Sequence, residues 1–226
     1  MVHGAQPSTE VGRAGIQSSL LPAAWVALLL AGAVLAFLAA DNERLPGDLA
    51  IMRWVQSLPL PGMPASRFVR VLGATEAVLA TGAVVVVLLW VFHRRREALL
   101  LACCLALLPL LQHGLKELVD RPRPSPELVH LRAGFSSPSF PAGHVMSPTL
   151  LYGFLAYLSL RNGVMWPLAA PLLGVSSAVL VLAGPANVYV GVHWPSDVAG
   201  GYVWGLLLLL PLVGLDGLGA GSRMPQ

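Results

Sequence analysis

The sequence predicts an all-α integral membrane protein, with six transmembrane helices forming a single domain over residues 1–226. Of these residues, 56% are hydrophobic and only 11% are charged, whereas soluble domains carry about 25% charged residues. The mean hydropathy is +0.71. A chain with so few charges would have difficulty covering a soluble globule with polar surface, so the composition favours the membrane class.

Six stretches approach the length of a spanning helix, which needs about 20 mostly apolar residues and tolerates about 17–25. They cover residues 20–40, 75–92, 97–115, 144–160, 164–186 and 196–215. The apolar run of the first stretch is too long for a signal peptide, so we expect a retained anchor. Pro109 lies inside the third stretch and can kink it, which transmembrane helices tolerate.

The basic residues predict an orientation. The segment "HRRRE" (93–97) is the densest basic cluster in a short loop, and the positive-inside rule places it in the cytoplasm. By parity, the N-terminus, the 161–163 turn and the C-terminal "SRMPQ" are also cytoplasmic, whereas 41–74, 116–143 and 187–195 face outward. The outward segments contain further basic residues, namely Arg44, Arg53, Arg67, Arg70, Lys116, Arg121, Arg123 and Arg132.

The segment 48–73 is neither apolar enough to span a membrane nor polar enough to be a free linker. It mixes apolar and basic residues, with Trp54 and Phe68 as candidate interface anchors. We therefore expect an interfacial amphipathic segment between spans 1 and 2.

Three polar patches flank the predicted spans on the outward side: "GLKELVDRPRP" (114–124), "SFPAGHVMSP" (139–148) and "GPANVYVGVHWPSD" (184–197). Each also has a purely structural interpretation. The first can be cations snorkelling at a helix end. The second can be a loop-to-helix turn, and the third a capping cluster around Ser196 and Asp197. Because parity places all three at similar depth, they can instead build one outward-facing site.

The residue types in these patches suit phosphoryl transfer. Lys116 and Arg123 can hold phosphate oxygens, and the glycine-led helix start at Gly143 suits an anion. A carboxylate four residues after His193 can hold that imidazole in one tautomer and leave the other nitrogen free to attack. A second histidine, His144, can protonate a leaving oxygen.

No metal or cofactor is expected. The patches contain no His, Asp and Glu cluster at metal-ligand spacing, so the pattern favours metal-independent chemistry. The adjacent Cys103 and Cys104 lie in an apolar run and are expected to be packing residues rather than a disulfide or a metal site.

The ordered segments "KELVDRPRP" (116–124), "PAGH" (141–144) and "ANVYVGVHWPSD" (186–197) resemble the motifs of the membrane-bound type-2 phosphatidic acid phosphatase superfamily. The family pattern is KxxxxxxRP, PSGH and SRxxxxxHxxxD. Its bacterial lipid phosphate phosphatases have six spans, and the family shares its catalytic core with the vanadium haloperoxidases. The resemblance covers residues 110–200 and extends through the six-span layout to most of the chain.

The resemblance implies hydrolysis of a phospholipid monophosphate or a polyprenyl diphosphate such as undecaprenyl diphosphate. It makes His193 the nucleophile that forms a phosphohistidine, Asp197 its orienting partner and His144 the general acid. The positions that match the family's phosphate-binding residues are Lys116, Arg123, Ala142, Gly143 and Asn187. The partners it implies are a phosphorylated lipid and the bilayer, with no nucleic acid.

The sequence departs from the family pattern at two positions. Ala142 replaces the motif serine, and Asn187 replaces the motif arginine. Loss of one strong oxyanion donor typically lowers kcat by about 10²–10³-fold. Asn187 can still donate a neutral hydrogen bond, and Arg121 or Arg132 can supply a charge from the neighbouring loop.

These departures leave an alternative open, in which the protein binds a phosphorylated lipid but turns it over slowly or not at all. A small transporter or an unrelated membrane scaffold is a third interpretation. Charged residues would then be expected inside the spans, whereas here they gather at the helix ends.

Overall fold

The structure is a computed structural model that describes residues 9–58, 62–161 and 166–221, with side chains over 21–58, 62–161 and 167–216. The predictions for the N-terminus, for residues 162–163 and for the "SRMPQ" tail fall outside the described residues. The described ranges form eight helices and no strand. The helices are α1 (Thr9–Asp41), α2 (Asp48–Ser57), α3 (Gly62–Gly73), α4 (Thr75–Val91), α5 (Arg95–Val119), α6 (Gly143–Leu160), α7 (Trp166–Val190) and α8 (Pro195–Gly221).

Six of these helices lie at the six predicted spans. Four contain stretches long and apolar enough to cross a membrane: Leu21–Asp41, Arg95–Val119, Pro167–Val190 and Pro195–Asp216. The pair α3 and α4, bent by 53°, qualifies as a fifth when taken together. The described residues therefore contain four or five candidate spans. The count of six stays a prediction, because α6 is not among them.

The helix α6 forms the centre of the bundle. Thirteen of its 18 residues are buried, and α7 and α8 pack along it. A helix that is apolar all round is typical of such a position. Two glycines of α8 permit the close approach, because a Cβ at Gly201 would lie 2.7 Å from the Ala142 carbonyl oxygen, and one at Gly205 would lie 2.6 Å from Thr149 Cβ. The beginnings of α6 and α8 are therefore adjacent.

The predicted interfacial segment folds as two short helices, α2 and α3. Trp54 and Phe68 are 62% and 66% exposed, as anchors must be, although the bilayer position of this segment stays a prediction. Its inner face packs on the bundle. At the end of α3, a Cβ on Gly73 would lie 2.8 Å from the His144 carbonyl oxygen. The segment is therefore one wall of the polar end of the bundle.

The opposite end of the bundle contains the polar groups that parity predicts to be cytoplasmic. Arg161 at the end of α6 pairs with Asp216 of α8. Arg96, in the basic "HRRRE" segment, donates from Nη2 to the Leu215 carbonyl oxygen at 2.5 Å. These contacts join the start of α5 to the ends of α6 and α8, away from the three polar patches.

Candidate active site

The three polar patches meet at one end of the bundle. Lys116 comes from the last turn of α5, Arg123 from the loop after it, His144 from the first turn of α6 and His193 from the turn between α7 and α8. Arg70, Arg123 and Lys116 place their positive charges near the His144 imidazole, which also lies near His193. The structure thus brings together residues from distant parts of the sequence, as parity predicts.

His193 lies at the centre of this cluster and is only 2% exposed. Its Nε2 is 3.2 Å from Arg123 Nη1, and its Nδ1 is 3.8 Å from Asp197 Oδ2. The second distance exceeds that of a hydrogen bond, and Nδ1 has no other partner among the described residues. The predicted pair is therefore adjacent, but in this conformation it interacts through charge rather than through a hydrogen bond.

The reason is local. Because α8 begins at Pro195, His193 precedes the helix, and its four-residue spacing from Asp197 is not a regular helical turn. The Asp197 Oδ2 atom instead accepts the backbone N–H of Trp194 at 2.8 Å. Asp197 therefore accepts a backbone N–H at the start of α8, as a capping residue does, and also lies beside the His193 ring.

Burial lowers the pKa of His193 to about 4. Asp197 acts in the opposite direction, and the positive charge of Arg123 adds to the lowering. The imidazole is consequently neutral near pH 7 and has one unprotonated nitrogen. With the proton on Nδ1, facing the carboxylate, Nε2 presents its lone pair to the cationic cluster, which is the arrangement that a nucleophilic histidine requires.

Asp197 is itself fixed by a buried network. Arg121 Nη1 donates to its Oδ1 at 2.5 Å, and Ser139 donates its hydroxyl to Oδ2. The same guanidinium donates from Nη2 to Asp48 Oδ2 at 3.0 Å. Because a buried charge is costly unless paired and hydrogen-bonded, this network holds the carboxylate ionised and stationary beside His193.

Neither loop arginine supplies the charge that the motif lacks, which corrects the sequence-based expectation. Arg121 is 1% exposed and lies behind Asp197. Arg132 donates from Nη1 to the Tyr189 carbonyl oxygen at 2.5 Å and covers the ring of the same residue at 4.3 Å. Both guanidiniums are committed to internal contacts, which the sequence could not show.

Lys116 and Arg123 are held by backbone carbonyls. Lys116 Nζ donates to Pro138 O at 2.6 Å. Arg123 donates to Val192 O at 2.6 Å and to Ser137 O at 2.7 Å. Burial lowers the pKa of Arg123 to about 10, which leaves it charged at neutral pH. Within the described part of the chain, no carboxylate hydrogen-bonds either side chain, so their charge is available to an anion.

The start of α6 separates the roles expected of Ala142 and Gly143. Ala142 is fully buried in an apolar cluster, and its N–H donates to the Asp197 carbonyl oxygen at 3.0 Å. In this conformation it therefore offers no donor to a phosphate, contrary to its place in the predicted set. Gly143 begins the helix, where the first N–H groups have no intrahelical partner and the helix dipole favours an anion.

Asn187 is fully buried on α7. Its Nδ2 donates to Ala183 O at 2.8 Å, and its Oδ1 accepts a hydrogen bond from Arg70 Nη1. Both ends of the amide therefore contact protein groups. This differs from the prediction that Asn187 donates a neutral hydrogen bond in place of the motif arginine. Its main contribution is to hold Arg70.

Arg70 of α3 also lies beside this cluster, although the motifs do not include it. The sequence shows it only as one of several basic residues in the first outward segment. Helical periodicity indicates which side of α3 faces the bundle, because its buried residues are Ser66, Val69 and Gly73. Arg70 is one turn after Ser66 and three residues before Gly73, so it lies on the same inward side.

The described residues contain no group of three or more His, Cys, Asp and Glu side chains placed to hold a metal ion. Cys103 and Cys104 are free thiols, with Cys103 exposed. The polar groups at this end of the bundle are instead two histidines, one buried carboxylate and several cations, a set suited to an oxyanion.

The fold and this cluster define the protein as a helical membrane protein with two histidines and several cations gathered at one end of its bundle. The PAP2 superfamily model matches residues 97–215, which contain all three motifs. Because this match covers more than half of the chain, the protein belongs to the PAP2 superfamily.

A curated relative and a solved structure support the assignment. Phosphatidylglycerophosphatase B from Bacillus subtilis (strain 168) is 38% identical over 109 residues, which are 47% of this chain and 52% of the relative. The match thus spans about half the length of this curated relative. A crystal structure of a transmembrane PAP2-type phosphatidylglycerolphosphate phosphatase from Bacillus subtilis superposes with a TM-score of 0.73 at 28% identity. It covers 86% of this chain and 96% of that chain.

Proposed function

We propose that this protein is a metal-independent lipid phosphate phosphatase acting through a phosphohistidine on His193. Its substrate class would be phospholipid monophosphates or polyprenyl diphosphates. The observation that carries the proposal is the meeting of a neutral His193 with His144, Lys116 and Arg123 at one end of the bundle. The names of the curated relative and of the solved structure favour a phosphatidylglycerol phosphate as the first substrate to test.

In the first step, the phosphate replaces backbone carbonyls as the partner of Lys116 and Arg123. Arg123 Nη1 now lies 3.2 Å from His193 Nε2, so its transfer to a phosphate oxygen frees the nucleophilic lone pair. Nε2 then attacks phosphorus, forming an N–P bond as the P–O bond to the lipid breaks. The negative charge of the bound phosphate favours the protonated form of His144, which then gives its proton to the leaving oxygen.

In the second step, water attacks the phosphorus of phosphohistidine. His144 accepts the proton of the water, the N–P bond breaks, and the electron pair returns to Nε2. Inorganic phosphate leaves, and both histidines regain their starting protonation. Through both steps the Asp197 carboxylate, held by Arg121, stabilises the positive charge that develops on the His193 ring.

The alternative, a family member that binds phosphorylated lipid with little turnover, rests on the departures at Ala142 and Asn187. It is not favoured, because the nucleophile, its carboxylate, the second histidine and both motif cations are present together. Asn187 also brings another arginine to the cluster, so the motif departure is not accompanied by a local loss of charge.

For the membrane arrangement, we propose a single domain over 1–226 that crosses the bilayer six times, with α6 as the shortest span. Both termini would be cytoplasmic and the site would face outward. The opposite polar end, with Arg96 and Arg161, fits the cytoplasmic side under the positive-inside rule. The helices α2 and α3 would lie at the outer interface, anchored by Trp54 and Phe68.

A phosphate-release panel tests the proposed activity. Purified protein in detergent with EDTA is given phosphatidylglycerol phosphate, phosphatidic acid and a polyprenyl diphosphate. We expect phosphate release from at least one of them, unaffected by the chelator. No release from any of the three, with or without added divalent cations, would count against the enzyme and favour the binding alternative.

A further inference from the structure

We propose that Arg70 supplies the guanidinium that the family motif places at position 187. This inference rests on the proposed function and deepens it. Arg70 belongs to α3, outside residues 97–215 matched by the family model. The charge that is missing from the third motif would therefore be provided by another helix, 117 positions earlier in the chain.

The first observation is the contact itself. Arg70 Nη1 donates to Asn187 Oδ1, while Asn187 Nδ2 is fixed by the Ala183 carbonyl oxygen at 2.8 Å. Asn187 therefore holds one nitrogen of the guanidinium, Nη1, in place. The structure gives Arg70 no other hydrogen bond within the described residues. Since a guanidinium has five N–H donors in a planar fork, several remain for phosphate oxygens.

The second observation is electrostatic. The charge of Arg70 acts on His144 and on Arg123, so it belongs to the same cluster as the proposed acid and a motif cation. Its hydrogen-bond partner is a neutral amide, and no carboxylate pairs with it in the described ranges. The full positive charge is therefore available to the charge that develops on phosphorus oxygens in the transition state.

The third observation is how the chain positions this residue. Gly73 lies one turn after Arg70, and a side chain there would meet the His144 carbonyl oxygen at 2.8 Å. Only a glycine lets the end of α3 rest on the first turn of α6. Arg70 is thereby held at the edge of the proposed site, half-buried, whereas Arg67 on the same helix is exposed.

Arg67 provides the matched control for a first test. We expect Arg70→Ala to lower kcat about 10²–10³-fold, the usual cost of one strong oxyanion donor. Arg70→Lys should fall between, because lysine keeps the charge but loses the planar fork. Arg67→Ala should stay within about twofold of the parent. Parental kcat in a folded Arg70→Ala variant would overturn the proposal.

A relocation experiment separates a role in chemistry from a role in packing. In the Arg70→Ala background, Asn187→Arg places a guanidinium at the position of the family motif, and we expect it to recover at least about tenfold of the lost kcat. In the parent, Asn187→Arg puts two like charges together and should bring no gain. An equal gain in both backgrounds would show that Arg70 does not fill this place.

Binding of inorganic orthovanadate gives a readout independent of turnover, and thermal unfolding in detergent reports whether each variant folds. We expect Arg70→Ala to weaken vanadate binding at least about tenfold and Arg67→Ala to leave it unchanged. If His193→Ala hydrolyses lipid as fast as the parent, the proposed function fails. If vanadate binds equally to parent and to Arg70→Ala, only the role of Arg70 fails.

Discussion

Arg121 Nη1 lies 2.5 Å from Asp197 Oδ1, and both side chains are almost completely buried. This ion pair joins the loop after α5 to the first turn of α8. Through Nη2, the same guanidinium also reaches Asp48 at the start of α2. The carboxylate proposed to orient His193 is thus placed by a network that extends to the segment before α4. The position of this carboxylate therefore depends on Arg121 and Asp48, which lie outside the three motifs' histidines and cations.

The first prediction concerns this network. Arg121→Met leaves two buried carboxylates without their cation, so it should lower the free energy of unfolding by about 3–5 kcal/mol. Arg44→Met, at an exposed position, should change it by less than about 0.5 kcal/mol. Thermal and denaturant unfolding in detergent measures both. Equal stability of the two variants would show that the buried network contributes little.

The second prediction concerns the contact between α6 and α8. Gly201→Ala introduces a Cβ 2.7 Å from the Ala142 carbonyl oxygen, so α8 must move away from the start of α6. We expect a loss of about 1–3 kcal/mol from overpacking, together with lower kcat, because His193 and Asp197 shift relative to His144. Unfolding and phosphate release report the two effects.

Gly174→Ala is the matched control for this prediction, because nothing lies within 4 Å of its added Cβ. In a helix interior, that change should stabilise the protein by about 0.5–1 kcal/mol. If Gly201→Ala behaved like Gly174→Ala, the two helices would not be in the close contact described above.

The third prediction concerns pH. Because burial lowers the pKa of His193 to about 4, the unfolded chain, with an ordinary value of about 6.5, binds this proton first. The parent should therefore lose stability as the pH falls from about 6.5 towards 4. Unfolding of the parent and of His193→Gln across this range isolates the contribution of His193, which the variant should lack. Parallel curves would mean that His193 titrates normally in the fold.

Hydropathy and motif spacing predict much of this molecule. The apolar runs predict the positions of six helices, and the ordered motifs single out His144, His193 and Asp197, which the fold brings to one end of the bundle. Parity predicts their meeting, since polar groups that follow or precede alternate spans gather on one side. These features are local in the sequence or depend only on the number of spans, so they can be predicted without knowing the tertiary structure.

Two features depend on tertiary packing and could not be read in this way. The pairing of Arg70 with Asn187 requires the end of α3 to rest on α6, and only the approach at Gly73 shows that it does. The pairing of Arg121 with Asp197 makes a buried counter-ion of a residue that was a candidate source of the missing motif charge. The two arginines of these pairs are visible in the sequence, but their partners are not, because they lie 117 and 76 positions away.

The proposed mechanism requires a covalent intermediate at His193. Purified protein is mixed with a lipid phosphate labelled with ³²P in the transferred group, and the reaction is quenched in alkali within the first turnovers. Peptide mass spectrometry then locates the labelled residue. We expect an acid-labile, alkali-stable phosphoryl group on His193. It should be absent from His193→Ala, which should also release no phosphate. Parental phosphate release by His193→Ala, or a label on a different residue, would contradict this mechanism.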